Sequence, residues 1–209
     1  MKTVIAFAIA LLSSPVWALS EQGQTSLESL QQQWAHIRYE LPEKQREAAF
    51  AKLATQAEAA VKQEPAAELM IWQGIIYSTW AGAKGGLGAL GLVKLAKASL
   101  EQALQLDDQA LQGSAYTSLG ALYYQVPGWP IAFGDDDKAE ELLKHALEIN
   151  AQGIDPNYFY ADYLMRQKRY AEARQALQRA EQAAPRAGRE VADQGRHAEL
   201  QTLAQQLTE

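Results

Sequence analysis

The chain has 209 residues, of which 48% are apolar and 21% charged, with a formal net charge of −6 and no cysteine. No basic cluster stands against that acidic balance, so neither nucleic acid nor an anionic membrane is expected as a partner. Without cysteine there is no disulfide and no lipidated cleavage site, so a lipid anchor is excluded as well.

Residues 1–18 carry the pattern of an export signal. Lys2 gives the positive start, and residues 3–12 form an apolar run too short to span a bilayer. Ser13, Ser14 and Pro15 break the run, and Val16-Trp17-Ala18 offers a peptidase site. The mature chain is expected to start at Leu19, to lose the charge of Lys2 and so reach −7, and to be periplasmic. Residues 19–209 then form one helical domain.

A repeat organises that domain. A weak first unit spans residues 26–65, with Phe50, Leu53, Ala60 and Pro65 at the repeating positions. The second, 66–109, has Gly74 and Tyr77 in its first helix and Ala96, Leu100 and Ala103 in its second. The third, 113–151, has Tyr116, Leu119, Gly120 and Tyr123, then Ala139, Leu143 and Ala146. The fourth, 154–187, has Tyr160, Ala161 and Leu164, then Tyr170, Ala173, Leu177, Ala180 and Pro185. Small residues at matched places let the two helices of a hairpin approach closely, and stacking buries the apolar face that each hairpin leaves open. Residues 189–207 read as a last helix that caps the stack, with Leu200, Leu203 and Leu207 on one face. Nothing alternates with period two, so no sheet is expected.

These spacings resemble the tetratricopeptide repeat (TPR). The resemblance implies an all-α fold, a right-handed α-solenoid of about four TPR-like helical hairpins. Two departures interrupt it. Ten extra residues lie between Gly74 and Ala96, and seven between Tyr123 and Ala139. Both inserts fall between the helices of a hairpin, so both are expected on one edge of the stack, in contact, beside the main pocket.

The first insert holds AGAKGGLGALGL, residues 81–92, in which Gly86 to Gly91 fits the dinucleotide fingerprint G-x-G-x-x-G. That pattern binds a cofactor only between a strand and a helix. A helix precedes it here, so the glycines are expected to turn and pack the chain, and no cofactor is expected. Lys84 among the free amides is an anion-binding candidate. The second insert, residues 125–137, holds Pro127, Gly128 and Pro130, which forbid regular structure, and Trp129, Ile131 and Phe133, which are too apolar for a solvated loop. It covers one end of the core or forms a pocket wall.

The binding candidates are Tyr77, Trp80, Lys84, Tyr124, Trp129, Phe133, Asn157 and Tyr158. Asp135, Asp136 and Asp137 lack the alternating ligands of a calcium loop. Instead Asp137 with Glu140 predicts a capping box, and Asp155 followed by Pro156 predicts a helix start. Glu141 and His145, four apart on a helix, read as a surface contact rather than a metal site. No H-E-x-x-H or G-x-S-x-G is present. No metal and no catalysis are expected.

The expected function is a non-catalytic periplasmic scaffold for a protein or peptide partner. A weaker resemblance runs to the T-component proteins of tripartite ATP-independent periplasmic (TRAP) transporters. It rests on Ser118 to Tyr123, the insert that follows, and Gly134 to Glu140. It implies an accessory protein that takes a small organic ligand. That family is lipid-anchored, and this chain has no cysteine to carry an anchor.

Overall fold

The computed structural model describes residues 19–207. The export signal expected over residues 1–18 lies outside the described residues. The elements in order are α1 (Glu21–Ala35), a π-helical turn (His36–Glu40), α2 (Glu43–Gln63), α3 (Ala67–Lys84), α4 (Ala89–Leu106), α5 (Ala110–Gln125), α6 (Asp136–Ile149), α7 (Ile154–Arg166), α8 (Tyr170–Glu181) and α9 (Glu190–Gln206). The fold is an all-α solenoid, and the β feature among the described residues is one isolated bridge between Gly128 and Gly134.

Three hairpins, α3 with α4, α5 with α6 and α7 with α8, form the body. Their register follows from small residues. A Cβ on Gly74 would lie 2.6 Å from Leu100 Cγ, and one on Gly120 would lie 2.7 Å from Leu143 Cγ. In both hairpins a glycine of the first helix therefore admits a leucine of the second. Ala161 fills the equivalent place in the last hairpin and, like its partners Ala173 and Leu177, is buried.

The first insert is not a long loop. α3 and α4 are 18 residues each, against 13 and 12 for α7 and α8. The additional residues lengthen the two helices and leave only a short turn, in which Gly85 and Gly86 have φ of 64° and 56°. Both angles lie in the left-handed region that favours glycine. The fingerprint pattern thus straddles a helix–helix turn. The second insert is a true loop, held by Gly134 N–H donating to Pro127 O at 2.9 Å and Asp135 N–H donating to Tyr123 O at 2.9 Å.

Three local expectations need correction. The cap of α6 is Asp135, whose Oδ1 accepts from Lys138 N–H at 3.0 Å, while Asp136 and Asp137 sit in the first turn, where the helix dipole favours them. α7 starts two residues before Pro156, capped by Gly153, which frees Asp155 for two arginines. Glu141 does not meet His145: it pairs with Lys138, and His145 pairs with Glu148.

The largest departure is closure. The first helices of successive hairpins, α3, α5 and α7, pack side by side; α1 packs on α3, and α9 on α7. α9 then also packs on α1 and on the π-helical turn. The stack bends round until its ends meet, so the capping helix completes a ring of five inner helices.

Candidate binding groove

The ring encloses a groove of ≈ 1380 Å³. Its wall is aromatic and aliphatic where α1 and α3 contribute Trp34, Trp72 and Ile75, and hydroxylic along α5, where Ser114, Thr117 and Ser118 point inward. Helical periodicity explains the hydroxyl row: 114, 117 and 118 share one face of α5, while Leu119 is turned into the core. Both inserts border this groove, the first through Gly86 and Leu87, the second through Pro127 and Ile131.

Charge concentrates where the ring closes. Asp155 accepts from Arg186 Nη1 at 2.6 Å and from Arg196 Nε at 2.8 Å. Burial alone would raise its carboxyl, but Arg196 and Arg186 outweigh burial and hold it well below the usual range. Glu199 accepts from Arg196 Nη1 at 2.5 Å, Arg38 Nη2 at 2.7 Å and the Tyr39 hydroxyl at 3.3 Å. Burial pushes the Tyr39 hydroxyl up to about 12. Arg186 also donates to Asp193 at 2.7 Å. Arg196 lies over the rings of Tyr158 and Phe159, 4.2 and 4.8 Å from their centroids, and Arg189 lies 4.8 Å from the ring centroid of Trp72. Arg196 and Arg189 stack on aromatic faces, while the pairs Arg196–Asp155 and Arg38–Glu199 tie α9 to α7 and to the π-helical turn.

Of the residues singled out by sequence, Tyr158 lines the groove. The other seven do not. Tyr77 is buried and donates its hydroxyl to Glu58 at 2.6 Å, behind the groove wall. Trp80 packs into the core of the N-terminal half. Lys84 pairs with Glu47 at 2.9 Å. Tyr124 is buried and donates to Asp162 at 2.7 Å, so it forms core and not pocket wall. Trp129 is 90% exposed at the loop tip. Phe133 folds back edge-on against Tyr123, 5.4 Å between centroids, and packs on the core. Asn157 is fully buried; its amide donates to Ala151 O and Gly153 O at 2.9 Å, and its Oδ1 accepts from Arg179, which makes it a strut of the α6–α7 turn.

Sequence reasoning missed Trp72, Arg189 and the Asp155 cluster. One signal was present. Arg186, Arg189 and Arg196 are spaced by three and seven residues, which places them on one side of the last helix and its lead-in. Among the described residues no cluster of three or more potential metal ligands occurs, and no helix is long and apolar enough to cross a membrane.

Residues 131–207 match the family model described as Tetratricopeptide repeat. No curated protein matches the chain. The chain is similar to a solved structure described as "Functional Characterization of Pseudomonas Aeruginosa pilF", at 15% identity and a TM-score of 0.36, over 90% of this chain and 94% of that one.

Proposed function

We propose that the groove inside the helix ring of this chain, whose residues 131–207 match the tetratricopeptide-repeat model, binds an extended segment of a partner protein. One observation carries the proposal. The groove encloses ≈ 1380 Å³, above the roughly 300–1,000 Å³ of most small-molecule pockets. Its aromatic wall and hydroxyl row suit side chains and backbone of a peptide together. Repeat solenoids use such inner surfaces for recognition, and this one is read as a non-catalytic scaffold. A small organic ligand of the kind the transporter resemblance implies would fill only part of the space. The export pattern of residues 1–18 supports a periplasmic location for this scaffold, with Leu19 as the amino terminus of the mature chain.

Site-specific photo-cross-linking tests the proposal. A photoreactive residue at Ser118, in the groove, should capture a defined protein partner from cells expressing the full chain. The same residue at Gln178, exposed on α8, should not. Equal capture from both positions, or capture from Gln178 alone, would move the binding surface elsewhere.

A further inference from the structure

The charges that close the ring do not balance. Four guanidinium groups, of Arg38, Arg186, Arg189 and Arg196, gather near three carboxylates, of Asp155, Asp193 and Glu199. Asp155 is shared by Arg186 and Arg196, Asp193 is taken by Arg186, and Glu199 is shared by Arg196 and Arg38. Arg189 is left over.

Its Nε is buried and has no hydrogen-bond partner, and the guanidinium rests on the face of Trp72 instead. Burial and then neighbouring Arg186 disfavour its charge, and the more distant attraction of Asp155 and Asp193 offsets them only in part. A half-buried cation whose Nε is shut off from water without an acceptor is costly to hold, and stacking on an indole offsets only part of that cost. Trp80 Nε1 is also buried without a partner, but the indole is neutral and packs in the core, away from the groove. Arg189 and Trp72 both line the groove, so an occupant can reach them together.

The geometry points to Arg189 as the anion anchor of the groove: the bound segment carries an acidic side chain, flanked by apolar residues, whose carboxylate pairs with Arg189 beside Trp72. This rests on the peptide reading and adds the chemistry of the peptide. A guanidinium matches a carboxylate in two-point geometry, which selects an acid over an amide. The aromatic wall around Trp34 and Trp72 selects apolar neighbours. The chain as a whole is negative, so its outer surface repels such a segment while this one site attracts it.

The test displays random-sequence peptides, fused through their carboxyl ends so that no terminal carboxylate is free, and selects them on the full chain. Selected peptides should share an Asp or Glu between apolar residues. Exchanging that acid for its amide should weaken binding to the unaltered protein by roughly tenfold or more. The same exchange should cost little on Arg189→Gln, which closes a double-mutant cycle. The acid-to-amide comparison needs no change in the protein, so misfolding of the variant cannot mimic the result. Selected peptides with no acidic preference, or acidic peptides held equally by Arg189→Gln, would overturn the assignment and leave the groove standing as a peptide site. Failure to select any peptide would end the peptide reading, and this assignment with it.

Discussion

The ring of Tyr39 packs so closely on the backbone of Gly195 that a Cβ at that position would overlap it. This contact brings the far end of the solenoid back to its beginning. Trp34 also meets Tyr39 edge-on, 5.7 Å between centroids, which limits the room the phenol ring has to move. Glu199, one turn beyond Gly195, accepts from the Tyr39 hydroxyl and from Arg38 and fixes the same junction.

Gly195→Ala should therefore act like an overpacking substitution and cost ~1–3 kcal/mol. Urea unfolding of the variant measures the loss. Limited proteolysis of residues 182–189, which lead into α9, should become faster in step. A variant as stable as the parent would mean that α9 is not docked on the π-helical turn.

The hairpin register makes a second prediction. Gly74→Leu, Gly120→Leu and Ala173→Leu each place a large side chain where two helices touch and should each cost ~1–3 kcal/mol. Gln178→Leu, on the exposed face of α8, should cost a few tenths of a kcal/mol at most. Four equal thermal midpoints would refute the register.

The fold was legible in sequence because helix pairing depends on local spacing. Gly74 with Leu100 and Gly120 with Leu143 are patterns that any one hairpin repeats. The elements that went astray depend on context. Gly82 and Gly91 do not break their helices, so the glycine-rich stretch lengthens α3 and α4 instead of looping out. Asp155 reads as a cap when seen beside Pro156, yet it serves arginines some 30 to 40 residues downstream. Ring closure joins α1 to α9, a contact with no local signature. For that reason the groove, and Trp72 and Arg189 within it, could not be read from spacing, whereas aromatic residues such as Tyr124 drew attention and proved to be core.

Asp155 holds two guanidinium groups, so Asp155→Asn removes one carboxylate from each and leaves Arg186 with Asp193 and Arg196 with Glu199. The side chain is 30% exposed, which moderates the cost to about 1–3 kcal/mol. Chemical denaturation checks it. Glu181→Gln, at an exposed position near the end of α8, serves as a control for loss of a carboxylate and should cost little.

Acid should weaken the tie that Glu140 makes between α6 and Arg169 in the α7–α8 turn. Burial would raise this carboxyl, but hydrogen bonds from Lys144 and Arg169 outweigh it and lower it from 4.5 to about 2. A carboxylate depressed in the folded state stabilises fully above its unfolded value. Its contribution should thus be present above about pH 5 and fade as pH falls through 4.5 towards 2. Glu140→Gln lacks the contribution throughout, about 1 kcal/mol for a partly exposed pair. Urea midpoints for parent and variant should differ at pH 7 and converge near pH 2; a constant difference would contradict the linkage.

The claim that the interior of the ring is the binding surface is tested most directly by amide chemical shifts of the isotope-labelled full chain, titrated with a peptide selected on it. Shifts should concentrate on Gly86, Ser114, Thr117, Ser118 and Tyr158 and on the indole of Trp72, with Lys52 and Gln178 unmoved. Shifts centred on Trp80, Lys84 and Trp129, with Ser114 and Trp72 unmoved, would contradict the account and return the site to the outer edge of the stack.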